Sequence, residues 1–259
     1  MKIVLSFDDG RIDFAKTALI LKKHNLHGSF HITTGFIDGT FNTDAFGKNR
    51  KPLTVEQIIE MYQNSMEISS HGDKHVMETS DYQTSIAKLK QWGVAQGESI
   101  GFSIPNSKYS DEELRNFNNE NSPLYIRAGR SPKCYTLKSK INYLLYKLFK
   151  TQKSYNRFNI HNMNSGINSF PLYSIVIAKH IRAKNVISFI ESFKNQNVVL
   201  ILMFHSVVER PTNKWEYAIC DFEKICSYLE EQKSLNSIEV DSFSYFIKQE
   251  YNKPVKESK

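Results

Sequence analysis

Cysteine is scarce in this chain. Only Cys134, Cys220 and Cys226 occur among 259 residues, and no two of them form a CxxC pair. Their spacing argues against a disulfide framework or a cysteine-rich structural zinc module, so the thiols are expected to be reduced and packed, as in a cytosol. Long apolar runs are missing too. The longest, residues 198–204, is far too short to cross a bilayer and reads as a buried strand. No secretion leader is expected, because residues 1–7 read as a strand; the expectation is a soluble, cytoplasmic protein.

The most informative absence is of acid. Residues 121–190 hold twelve Lys and Arg and no Asp or Glu, so this stretch carries +12 while the net charge is +7, leaving 7 − 12 = −5 for the rest. Surfaces normally intersperse signs, so the block points to an anionic partner: a lipid phosphate, a nucleotide-sugar diphosphate or an acidic glycan. No helix-turn-helix, zinc module or RNA-binding aromatic motif accompanies it, which ranks nucleic acid low. Within the block, residues 138–150 place Ile141, Leu144, Leu145 and Leu148 on one helical face among lysines. A core-facing helix is the favoured reading of that spacing, and a helix lying on a membrane surface is the alternative.

What is present is ordinary in bulk, with 40% hydrophobic and 24% charged residues, enough for one full core. Short apolar runs alternate with helical periodicity. Strands are expected at 2–7, 28–33, 67–70, 99–104, 124–128, 173–178, 198–204 and 237–240, and helices at 11–24, 55–64, 79–96, 111–118, 183–195 and 220–232. The alternation is that of a mostly parallel α/β fold, either a closed or partly closed barrel or an open doubly wound sheet. A single domain over residues 1–250 is expected, with a Lys-rich disordered tail at 251–259.

In such folds the active site lies beyond the carboxyl ends of the strands. Asp8 and Asp9 end the first expected strand, His71 and His75 follow the third, and His205 ends the seventh. Two adjacent carboxylates repel, so a metal ion, a proton or a cation must offset them. Residues four apart on a helical turn project the same way, so His71 and His75 can reach one ion. Two His and one Asp make a three-ligand site with open positions, the pattern of a catalytic metal. His24, His27, His31, His161 and His180 have no comparable partner spacing and read as structural.

The segments Ser6-Phe7-Asp8-Asp9-Gly10, His71-Gly72-Asp73-Lys74-His75 and Leu202-Met203-Phe204-His205 together resemble, in order, the motifs of the polysaccharide deacetylase superfamily, carbohydrate esterase family four. The resemblance implies a distorted (β/α) barrel of seven or eight parallel strands and removal of acetyl groups from N-acetylated sugars with a divalent metal, commonly zinc. It assigns Asp9, His71 and His75 to the metal, Asp8 to the catalytic base and His205 to the general acid.

Two departures stand out. The family's Arg-Pro-aromatic motif corresponds here to Phe102-Ser103-Ile104-Pro105-Asn106-Ser107, without Arg; Arg130 is the first candidate to replace it and Arg127 the second. No Asp lies between Asp111 and Asp221, so the family's usual partner of the acid histidine is missing, with Glu209 as a substitute. The expected substrate is an acetylated sugar or glycan of surface-polysaccharide assembly, anionic, lipid-linked or nucleotide-linked, met at the inner membrane face with peripheral membrane contact. The rival readings are a deformylase or other amide hydrolase of the same fold, and a catalytically silent glycan-binding protein that keeps its metal.

Overall fold

The structure is a computed structural model that describes residues 1–41, 50–95 and 99–252. Its centre is β1 (Lys2–Asp9), buried from Ile3 onward. Alternation along β1 sends successive side chains to opposite faces. Ile3, Leu5 and Phe7 join the large apolar layer beneath the helices, where Phe7 stacks on Phe30 and Phe204. Val4 joins a smaller cluster with Tyr125, Leu172, Ile201 and Phe243 on the inner side. Ser6 and Asp8 continue that inner face.

The elements follow in chain order as α1 (Asp13–Lys23), β2 (Ser29–Ile32), α2 (Thr34–Asp38), α3 (Val55–Gln63), β3 (Glu67–Ser70), α4 (Thr79–Gln91), β4 (Phe102–Ser103), α5 (Asp111–Asn121) and β5 (Ile126–Arg127). Two consecutive helices come next, α6 (Leu137–Phe149) and α7 (Gln152–Asn159). After them lie β6 (Ile175–Val176), α8 (Ala183–Phe193), β7 (Val199–Phe204), β8 (Ser206–Val208), β9 (Glu216–Ala218), α9 (Ile219–Ser234), β10 (Glu239–Val240) and α10 (Phe243–Tyr251).

The main sheet is parallel throughout and runs β5-β4-β3-β2-β1-β7-β6, with β10 paired to the first residues of β1. It curls until its two ends meet. Leu172, just before β6, donates its N–H to the Ile126 carbonyl and accepts from the Ala128 N–H, a single bridge opposite Arg127 that completes a distorted (β/α) barrel. At the opposite end from the site, Phe243 of α10 stacks on Tyr125 at 4.2 Å and plugs the interior.

All eight expected strands are present. Those expected at 99–104, 124–128 and 173–178 shrink to two paired residues each, because the chain leaves the ladder early there to form the loops that carry the site. The small pair β8 and β9, and helices α2, α7 and α10, are additions to the expected elements; β8, β9 and α2 are too short for periodicity to reveal. The helix at 138–150 forms, yet it does not face the core: Ile141, Leu144, Leu145 and Leu148 are exposed, while Ser139, Asn142 and Tyr146 point inward. Cys134 and Cys226 are packed, but Cys220 is exposed at the start of α9. The helix expected at 79–96 stops short, at Gln91, where Trp92 caps it and Gly93 turns the chain at φ near +74°; most of the tail after Tyr251 lies outside the described residues.

Candidate active site

The barrel mouth opens into a cleft of about 570 Å³ that Asp8, Asp9, His71, His75 and His205 all line. Strand alternation alone would send Asp8 and Asp9 to opposite faces. Asp9 instead has φ near +90°, a left-handed backbone that is costly for a side chain larger than glycine and turns its carboxylate toward the loop after β3. Arg11 donates to Asp9 Oδ2 through two nitrogens, at 2.7 and 3.1 Å. The other oxygen, Oδ1, faces the Nε2 atoms of His71 at 3.6 Å and His75 at 3.9 Å.

His71 and His75 do not sit on a helical turn as the spacing suggests. They belong to an irregular turn held by Asp81, whose carboxylate accepts the backbone N–H groups of Asp73 at 2.9 Å and Lys74 at 2.7 Å. Gly72 sits at φ near +80°, and a Cβ there would lie 2.3 Å from the Asp81 carboxylate. His75 is also left-handed, at φ near +60°. This shape brings the two Nε2 atoms within 3.1 Å of each other.

The Nδ1–H of His71 donates to the Ser103 carbonyl at 2.8 Å, which fixes the tautomer and leaves Nε2 free as a ligand. One ligand atom each from Asp9, His71 and His75 lies within 4.8 Å of the other two. The donor set suits a divalent ion that accepts nitrogen and oxygen, zinc among them.

Burial, helped by the neighbouring charge of Asp8, pushes Asp9 up to about 6 against the pull of Arg11. Burial also pushes His75 down to about 4 and His71 well below its ordinary value. Both imidazoles are therefore neutral near pH 7, the state in which they bind metal.

Asp8 behaves oppositely. Burial would raise it, but the Arg127 guanidinium, with help from the neighbouring imidazoles, holds it far below the usual carboxylate range. Arg127, and not Arg130, is the cation beside Asp8: its Nη2 bonds both the Asp8 carboxylate and the Ser103 hydroxyl. The physical reason is register. Ser103 and Arg127 are paired residues of β4 and β5, so Arg127 projects into the space that the short Ser103 side chain leaves. Arg130 lies past the end of β5, with its guanidinium over the rings of Tyr143 and Phe158 at 5.4 Å each, at the rim of the cleft.

His31 is not a remote structural histidine. It pairs with Asp8 across the β1–β2 ladder, with Nδ1 3.5 Å from the carboxylate and Nε2 3.0 Å from the Tyr125 hydroxyl, which in turn donates to Ser69 at 3.0 Å. Burial and the Arg127 charge push it down to about 3, so a neutral ring underlies Asp8.

His205 follows β7 on the other wall, and burial pushes it down to about 4. Its Nδ1 has no hydrogen-bond partner among the described residues. Glu209 is not its partner; it extends to the surface and pairs with Lys16. The indole of Trp215 packs beside the His205 ring instead, with centroids 4.9 Å apart.

Two carboxylates that sequence reasoning missed organise this wall. Asp13 accepts from the Ser206 hydroxyl and the Val207 N–H, at 2.9 and 2.8 Å, and anchors the chain directly after His205. Glu216 accepts from Arg50, from Thr212 and from the backbone and side-chain nitrogens of Asn213, the latter two at 3.0 and 2.9 Å. It thereby shapes the loop that carries Trp215. An Asp in the first turn of a helix is a weak signal for Asp13, and nothing local marks Glu216.

The family model described as polysaccharide deacetylase matches residues 1–120. No curated protein sequence matches the chain. Among solved structures, the deacetylase PplD of Streptococcus pyogenes in complex with acetate is similar at 26% identity and a TM-score of 0.41, over 49% of this chain and 56% of that one. The chain thus spans little more than half the length of that relative. Two others align over nearly the whole chain. The Xyl-CE4 domain of a multidomain xylanase from the hindgut metagenome of Trinervitermes trinervoides has 9% identity and a TM-score of 0.53, covering 98% of this chain and 92% of that one. A family 4 acetyl xylan esterase from Clostridium thermocellum, in complex with a cobalt ion, has 12% identity and a TM-score of 0.52, covering 97% and 92%. At such identities these two establish a shared fold.

Proposed function

We propose that this chain, whose motifs and fold place it in the polysaccharide deacetylase superfamily, is a divalent-metal-dependent hydrolase that removes the acetyl group from an N-acetylated sugar. The observation that carries this reading is the joining of two arrangements in one cleft: a three-ligand set of Asp9, His71 and His75, and beside it an Asp8 carboxylate kept ionised by Arg127. The cobalt ion bound to the similar esterase supports a divalent metal here, with zinc the first choice.

The chain's own residues divide the work. A carboxylate held as low as Asp8 is always ionised near neutrality, yet for that reason it is a weak base. It needs an acidified water; Asp9, His71 and His75 would hold a divalent ion, which when bound would supply that acidity and Lewis-acid polarisation of a carbonyl. Asp8 takes a proton from the attacking water, and Arg127 with Ser103 fixes the carboxylate that receives it. His205, on the facing wall, is neutral at rest because burial holds it to about 4; it takes up a proton from solvent as negative charge gathers at the reacting carbonyl, passes it to the departing amine nitrogen as the C–N bond breaks, and Trp215 restricts the tilt of its ring. Arg130 and Trp215 at the rim are placed to hold the sugar.

Purified protein supplied with zinc or cobalt is expected to release acetate from N-acetylated oligosaccharides, and Asp8→Asn is expected to keep its metal and lose turnover. Metal uptake with no acetate released from any acetylated aminosugar would overturn the reading.

A further inference from the structure

We propose that the outward face of α6 is a docking surface for an anionic lipid bilayer. The argument starts from an inversion. An amphipathic surface helix ordinarily turns its apolar stripe to the core. In α6 the buried positions are Ser139, Asn142 and Tyr146, and Tyr146 packs on Tyr155 of α7 and bonds Asn185 of α8. The exposed positions are Leu137, Ile141, Leu144, Leu145, Leu148 and Phe149, with Leu137 at 77%, Phe149 at 67% and Leu148 at 64%. At 100° per residue Leu137, Ile141, Leu144 and Leu148 form one stripe, flanked by Lys140 and Lys147 on one side and Lys138 on the other. Contiguous exposed apolar surface of this kind marks an interaction site.

Charge selects the occupant. The helix sits within residues 121–190, which carry twelve basic residues and no acidic one. A second copy of the chain meeting this face through a two-fold axis would set lysines against lysines with no carboxylate to offset them. A nucleic acid would use the lysines and leave six large apolar side chains without a role. A bilayer with acidic headgroups uses both, the apolar stripe entering the headgroup boundary and the flanking lysines meeting phosphates. No helix among the described residues is long and apolar enough to span a membrane, so the contact is peripheral.

The placement is also favourable. Tyr135 and Arg130, which lie at the cleft, precede α6 by a few residues, and Arg130 packs on Tyr143 of α6 itself. Docking through α6 would therefore bring the cleft mouth close to the membrane surface.

The test is flotation of the full chain, zinc supplied, with vesicles of phosphatidylcholine alone or mixed with phosphatidylglycerol. Wild type is expected to float with the mixed vesicles only, less so as salt is raised. Leu144→Asp with Leu148→Asp should reduce binding by about tenfold or more, and Lys138→Gln with Lys140→Gln should weaken it and flatten the salt dependence. Because both pairs are exposed and distant from the site residues, circular dichroism and acetate release from a soluble sugar should not change. Vesicle binding is read without turnover, so the docking surface and the deacetylase reading fail independently. Failure of wild type to float, equal flotation with neutral vesicles, or wild-type flotation matched by the leucine variant would overturn the proposal. So would a concentration-dependent dimer that the leucine variant abolishes.

Discussion

Arg127 reaches Asp8 from the neighbouring strand, through the space above Ser103, and so supplies from β5 the cation that the Ser-Ile-Pro segment after β4 lacks. Removing one partner of a buried ion pair leaves the other charge uncompensated, at a cost of about 3–5 kcal/mol. Arg127→Ala is therefore expected to lower the thermal midpoint and to reduce kcat by roughly 10²-fold or more, with metal content unchanged. Arg127→Lys should recover little, since the lysine stem is a bond shorter and its ammonium falls short of the position from which Nη2 bonds both Asp8 and Ser103. Arg130→Ala, by contrast, should raise KM and leave kcat near wild type. Steady-state kinetics on the three variants separates the two arginines; equal kcat losses would contradict the assignment.

Chelation is expected to abolish turnover and lower the thermal midpoint, with recovery on adding zinc or cobalt. At a hundredfold excess over Kd, a bound ion stabilises the folded state by about 2.7 kcal/mol. Asp9→Asn and His75→Ala should each lose most of this metal-dependent shift, measured by differential scanning fluorimetry with and without chelator. A shift retained in both variants would place the ion elsewhere.

Acid should destabilise the metal-free protein well above the carboxylate range. Burial leaves His31 at about 3, His75 and His205 at about 4 and His71 well below its ordinary value, whereas all four take a proton near 6.5 once unfolded. Between those limits the unfolded chain binds more protons, so this stability is complete above about pH 6.5 and is lost as pH falls. Asp9, pushed up to about 6, and Asp13, Glu67 and Asp81, also raised by burial, have the opposite sign and reduce, without reversing, the fall set by the four imidazoles. Denaturant midpoints from about pH 7.5 to 5 should therefore fall steadily. A flat profile would mean that the rings charge in place.

Glu216 is a single carboxylate on which the Trp215 loop depends. Glu216→Gln removes the charge that Arg50 and the Thr212 and Asn213 nitrogens meet. Loss of such charge-assisted bonds, about 1.5–3 kcal/mol each, should loosen the loop and raise KM by about tenfold. Metal content should stay at the wild-type level, and an unchanged KM would show that the loop does not contact substrate.

The fold was largely legible because β1 and β7 carry long apolar runs, and a parallel strand buried on both faces shows itself that way, while the short β3 was placed by the alternation around it. The strand-end positions of Asp8, Asp9, His71, His75 and His205 followed from those runs. The side chains that arrange the site were less visible. Arg127 depends on cross-strand register, His31 on the pairing of β2 with Asp8, and Glu216 on a loop closing over itself, none of which leaves a local pattern. The outward stripe of α6 was hidden for another reason: periodicity identifies an apolar face but not its direction.

The bridge that completes the barrel lies opposite Arg127, the residue that steadies Asp8. The steadying of Asp8 thus leans on a seam held by few backbone bonds, those joining Leu172 to Ile126 and Ala128 and Ser174 to Gly129. Warming that parts β5 from Leu172 would free the guanidinium while every helix stayed intact, so turnover should fade before the far-ultraviolet signal does, and the enzyme would act as its own gauge of barrel integrity.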